Sequence, residues 1–120
     1  MTARLFIRLD LAPNGRVGPG KIALLEAIER TGSISAAGRA SRMSYRRAWL
    51  LVDELNALFA RPVVATHTGG PGGGGAALTP LGRELVARFR LLERQADSLR
   101  AEHLGPIEAA LAPACPGAEP

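Results

Sequence analysis

Between Gly32 and Trp49 the chain places a helix terminator, two helix caps and four arginines, with no acidic residue among them. Gly32 suits the left-handed conformation that ends a helix, and Ser33 offers a side-chain oxygen to the free N–H groups opening the next. Ser44 offers the same at a third helix that begins Tyr45-Arg46-Arg47. Two capped helices joined by a tight turn make a helix-turn-helix, which constrains the rest of the chain to supply a support for that pair.

Charge decides what such a pair could meet. The 120 residues carry a net charge of +4 and are 47% apolar, enough for one domain with a modest core. From Arg30 to Val52 every charged side chain is an arginine, namely Arg30, Arg39, Arg42, Arg46 and Arg47, and acids return only at Asp53 and Glu54. A solvated face would mix signs, so this stretch suits a polyanion. A helix entering the major groove of DNA presents its N-terminal residues to base edges, and its first N–H groups add a site for phosphate. Arg46 and Arg47 are therefore the first candidates for base or backbone contact, and an arginine fork can pair bidentately with guanine. Ser35 and Arg39 on the preceding helix are phosphate candidates, Arg42 and Ser44 beside them are DNA-binding candidates as well, and Tyr45 either reaches a phosphate or packs sideways. Trp49, one turn into the helix among apolar spacings, reads as core or buried edge.

Other chemistries find little support. Cys115 is the single cysteine, so no internal disulfide or thiolate metal site can form, which fits a reducing cytoplasm. No apolar run approaches a membrane span, and Met1 to Leu11 alternates where a signal peptide would be continuously apolar. His67 and His103 stand apart, and no nucleophile motif accompanies them, so neither a catalytic nor a metal site is expected.

The remaining punctuation reads as one unit. Leu5, Ile7 and Leu9 alternate with charged residues as a half-buried strand does, and Pro13-Asn14-Gly15 turns the chain. A first helix carries Ile22, Leu25 and Ile28 on one face. Ala36, Ala37 and Ala40 are small enough for two helices to approach closely. The third helix runs to about Leu58, with Ala48, Leu51 or Val52, Leu55 and Leu58 facing inward. Val63 to Thr68, the glycine tract from Gly69 to Gly75 and Ala76-Ala77-Leu78 read as a hairpin with an oversized flexible loop, the wing of a winged helix. Its glycines, Gly72 and Gly73 among them, would touch sugar and phosphate through backbone N–H groups. A phosphate-binding nucleotide loop would need a Lys-Ser/Thr ending that this tract lacks.

Thr79-Pro80 opens the last helix as cap and first helical residue. Leu85, Phe89, Leu92, Ala96 and Leu99 then recur at heptad spacing, the seam of a helix that pairs with a second subunit. The fold class is thus mainly α with a small β hairpin: a winged helix-turn-helix with a long C-terminal dimerisation helix. Residues 1–104 form that domain, with the wing at 63–78 and the long helix at 79–104. Gly105-Pro106 stops the helix, leaving 105–120 as a short disordered tail.

Gly32-Ser33-Ile34, the Ala36-Ala37 pair, Met43-Ser44-Tyr45-Arg46-Arg47-Ala48-Trp49, Asn56, the glycine tract with Ala76, and Leu78-Thr79 with Gly82 together resemble one known family. They are similar to the N-terminal winged-helix domain of the ModE family of molybdate-responsive bacterial transcription regulators, over roughly residues 20 to 90. The resemblance implies a homodimer bound to an inverted-repeat operator, with the third helix in the major groove. ModE-like turns usually carry glycine where this chain has Arg42, so either Arg42 takes a left-handed backbone at some cost or the turn differs. The family's C-terminal molybdate-binding modules have no counterpart in residues 105–120, so no cofactor is expected within the chain and molybdate enters only indirectly. The rival readings are a LysR-like truncated regulator, a dimerisation partner that modulates a full-length ModE-like relative, and, least supported, an oxyanion sensor.

Overall fold

The computed structural model of the chain describes residues 3–11, 13, 15–70 and 73–113. Strand β1 (Leu9–Leu11) pairs antiparallel with β2 (Gly15–Val17), with Leu9 opposite Val17 and Leu11 opposite Gly15. The strand expected from Leu5 onward is thus only its last part. Residues 3–8 have no ladder partner, and alternation alone cannot supply one. The partner strand holds Gly15 for a steric reason: a Cβ there would overlap the Leu58 side chain, which lies against it.

Helix α1 (Pro19–Thr31) is the hub. Proline at its start needs no hydrogen-bond partner for its nitrogen, and Ile22, Leu24, Leu25, Ala27 and Ile28 are all buried. Burial on more than one face follows from the neighbours it meets: α2, β2, β4 and α4. Gly32 ends α1 at φ 71°, its N–H donating to the Ile28 carbonyl at 2.8 Å. Helix α2 (Ile34–Ala40) follows at once, with the Ser33 hydroxyl accepting from the Ala36 N–H at 3.1 Å.

Helix α3 (Tyr45–Leu58) buries Ala48, Leu51, Val52 and Leu55, while Leu58 is only partly covered. The close approach of α2 to α3 is made by Gly38, not by the expected Ala36 and Ala40. A Cβ on Gly38 would stand 2.9 Å from that of Ala48, whereas Ala40 is exposed and Ala36 half-buried. The Met43 N–H donates to the Gly38 carbonyl at 2.9 Å, and the turn between the helices puts Arg42 at φ 58°. Arg42 therefore adopts the left-handed backbone that glycine would take without strain.

Strands β3 (Val64–Gly70) and β4 (Gly73–Leu78) form an antiparallel hairpin, in register from Val64 opposite Leu78 to His67 opposite Gly75, with an irregularity before Gly70 opposite Gly73. Of the oversized loop expected over Gly69 to Gly75, residues 69–70 and 73–75 are strand, because a ladder needs amides and not side chains, and residues 71–72 lie outside the described residues. Asn56 anchors the hairpin's base to α3. Its Oδ1 accepts from the Val63 and Val64 N–H groups at 2.8 and 3.1 Å, and its Nδ2 donates to the Val64 carbonyl at 3.1 Å.

Helix α4 (Pro80–Asp97) is capped by Thr79, whose hydroxyl accepts from the Gly82 N–H at 3.0 Å. Gly82 sits against the Val63 carbonyl, where a Cβ would lie 2.1 Å from the oxygen. Farther along, Arg90 clasps Glu26 of α1 through two hydrogen bonds of 2.6 and 3.0 Å and also bonds Glu93 at 2.6 Å. The regular helix ends at Asp97, short of the expected residue 104. A π-helical turn at Arg100–Leu104 then leads into α5 (Gly105–Ala109). The expected tail thus begins as helix, because Pro106 sits in the first turn of α5, where its missing N–H costs no hydrogen bond. Residues 114–120 of that tail lie outside the described residues. No helix among the described residues is long and apolar enough to cross a membrane.

Candidate nucleic-acid interface

Three local devices converge on one end of α3. The Ser44 hydroxyl accepts from the Arg47 N–H at 3.1 Å and fixes where the helix starts. Gly38 lets α2 lie close alongside, and Arg42 carries the connecting turn. Together they bring Arg39, Arg42, Ser44, Tyr45, Arg46 and Arg47 onto exposed surface around the α3 N-terminus, with Ser35 half-buried on α2.

Among the described residues, none of Arg39, Arg42, Arg46 and Arg47 forms an ion pair or a side-chain hydrogen bond. The described arginine pairs involve Arg8, Arg88, Arg90 and Arg100, and Arg83 bonds a backbone carbonyl. Four cations left free on one surface, at a helix N-terminus with its own partial positive charge, form a field that attracts polyanions. The acids of α3 begin only at Asp53, and Glu54 is drawn toward Lys21 at 3.5 Å.

The aromatic residues divide their work. Tyr45 is exposed and meets Trp49 edge-on, with ring centroids 6.1 Å apart. Trp49 is half-buried, and its Nε1 is covered without a partner among the described residues. It packs partly against the core.

The hairpin is tied to this surface at Gly32, whose carbonyl accepts from the Ala76 N–H at 2.9 Å. The residue that ends α1 thus also holds β4. A Cβ on Gly75 would lie 2.7 Å from the His67 Nε2 and 3.2 Å from the Gly32 oxygen, so the glycine permits both approaches. Ala65, Thr66 and His67 of β3 are exposed. Gly73 opens β4, while Gly72 lies outside the described residues.

The expected seam on the last helix divides in two. Phe89 is 1% exposed and belongs to the protomer's own core cluster, so it is not available at the surface. Leu85 packs partly against the same core. Leu92 and Leu99 are exposed, with Ala96 half-buried between them, and Leu91, Ile107 and Leu111 add to the apolar surface of this end. Sequence reading passed over Leu50. It is the apolar residue of α3 out of phase with Ala48, Leu51, Val52 and Leu55, and it is 51% exposed on the side that carries Arg46 and Arg47.

These features define a mainly helical domain with two small antiparallel hairpins and a basic helix end on its surface. Over 78 residues the chain is 51% identical to the molybdenum-pterin-binding protein MopB of Rhodobacter capsulatus, covering 65% of this chain and 29% of that protein. It is 43% identical over 96 residues to the molybdenum transport protein ModE of Azotobacter vinelandii, covering 78% and 36%. To the DNA-binding transcriptional dual regulator ModE of Escherichia coli it is 38% identical over 92 residues, covering 77% and 35%. No protein-family model matches the chain. The matches take in most of this chain and about a third of each relative's length, and they support a ModE-like relationship.

Proposed function

We propose that the chain acts as a DNA-binding transcription regulator of the ModE type, linked to molybdenum metabolism and working in the cytoplasm. In this reading it is a winged helix-turn-helix. Helix α3 enters the major groove, α2 crosses the phosphate backbone, and the β3–β4 hairpin touches sugar and phosphate. The observation that carries the reading is the set of four arginines, Arg39, Arg42, Arg46 and Arg47, that form no ion pair among the described residues around the capped start of α3. The molybdenum link rests on the names of the relatives. No residue of this chain is assigned to molybdate.

The working form is a homodimer joined through the α4–α5 end, where Leu92 and Leu99 lie exposed. Two copies related by a two-fold axis place two α3 helices about 34 Å apart, one turn of DNA, and so read an inverted repeat.

Duplex binding tests the reading. Affinity for sites selected from a random DNA pool should fall steeply with salt, with a log–log slope of about 0.9 per neutralised phosphate. The Arg46→Ala, Arg47→Ala double variant should bind at least about five-fold more weakly, as loss of one bidentate base contact alone requires. Affinity indifferent to salt, or an unaffected double variant with its fold intact, would overturn it.

A further inference from the structure

We infer that Leu50 is a specificity-determining residue of the DNA interface, reading the 5-methyl group of a thymine one helical turn beyond Arg46; this rests on the DNA-binding reading above. Each helical residue advances about 100°, so Leu50 projects between Arg46 and Arg47, within about 60° of either, and about 150° from the buried stripe. It is 51% exposed in the second turn of a 14-residue helix. Every other large apolar side chain exposed among the described residues, Tyr45 excepted, belongs to the N-terminal arm or to the α4–α5 end. Leu50 therefore does not continue that surface; on its own face it has Arg46 and Arg47 one turn before it and Asp53 and Glu54 one turn after.

That setting selects the occupant. A protein surface covering Leu50 would also remove water from Arg46 and Arg47, which form no ion pair among the described residues, and unpaired buried charge is strongly unfavourable. A DNA duplex answers both needs: phosphates and guanine edges receive the arginines, and the thymine 5-methyl is the apolar group displayed in the major groove. Asp53 and Glu54 come back onto the same face one turn later and repel phosphate, which limits the contact zone to the first two turns of α3. Leu50 lies at the end of that zone.

The test removes the methyl group from the DNA and the side chain from the protein. The tightest duplex that the full chain selects from a random pool is resynthesised with deoxyuridine in place of each thymine in turn. Wild-type protein should bind about four-fold more weakly at one thymine, or at its symmetry-related pair, the factor carried by one apolar carbon leaving water. Leu50→Ala should bind the parent duplex more weakly by a similar factor and lose its sensitivity at that position. Leu50 is exposed, so its thermal unfolding should match wild type. A wild type insensitive at every thymine, a selected site without thymine, or a Leu50→Ala protein that keeps the same sensitivity would overturn the inference while leaving DNA binding in place. Absence of any salt-dependent duplex binding would instead overturn the DNA-binding reading, and this inference with it.

Discussion

Asn56 and Val64 are joined in both directions: the Asn56 Oδ1 accepts the Val64 N–H at 3.1 Å, and its Nδ2 donates to the Val64 carbonyl at 3.1 Å. The same Oδ1 takes the Val63 N–H at 2.8 Å, and both valines are buried. Asn56→Ala strands three backbone groups where water has little access. At about 1 kcal/mol for each lost partner, the variant should lose roughly 3 kcal/mol in urea unfolding, with faster amide exchange at Val63 and Val64. An unchanged midpoint would show that water replaces the amide fully.

Arg42 holds a left-handed backbone at φ 58°. Glycine there relieves a strain of about 1–2 kcal/mol but gains about 0.4–1 kcal/mol of unfolded-chain freedom, so Arg42→Gly should stabilise the fold by about 0.5–1 kcal/mol. In the DNA-binding reading it also removes one phosphate partner. The salt slope of duplex binding should then drop by about 0.9 while the melting temperature rises. A lowered melting temperature would mean that the arginine side chain supports the turn in some other way.

The Arg90 guanidinium, hydrogen-bonded to Glu26, holds that carboxyl below the ordinary glutamate value, and the carboxylate in turn raises Arg90. In acid the unfolded chain therefore takes up a proton before the folded one. The pair's contribution is complete above about pH 4.3 and is lost as pH falls through the lower folded value. Both side chains are about a third exposed, so screening keeps the effect under about 1 kcal/mol. Glu26→Gln should flatten this part of the stability–pH curve; a curve identical to wild type would remove the pair from the acid response.

Leu92 is 46% exposed on α4 and leaves the protomer core untouched when replaced. If the α4–α5 end joins two copies, Leu92→Asp should convert a dimer to a monomer in light scattering without changing the circular dichroism. A variant that stays dimeric would place the interface elsewhere.

The helix ends were readable because their causes are local. Ser33, Ser44 and Thr79 each bond an N–H three residues on, and Gly32 closes α1 through its own backbone, so a few consecutive residues carry the whole signal. The heptad spacing of the last helix was legible in the same way but did not say which neighbour each residue meets. Phe89 and Leu92 share that spacing, yet one is buried in the core and the other is exposed. Leu50 was hidden for the converse reason: within the apolar run Trp49-Leu50-Leu51-Val52 nothing local sets it apart from its buried neighbours, and only its exposure on the side of Arg46 and Arg47 distinguishes it.

Local chemistry in the chain thus determined where α2, α3 and α4 begin and where α1 ends, that a hairpin follows the third helix, and that an uncompensated run of arginines lies between Arg30 and Val52. Tertiary structure alone decided which distant groups meet. The Gly32 carbonyl with the Ala76 N–H, Gly38 with Ala48, Gly82 with the Val63 carbonyl and Glu26 with Arg90 are such meetings. Caps and turns depend on atoms a few bonds apart. These contacts depend on how α1, the hairpin and α4 close around one core, and no spacing along the chain encodes that geometry.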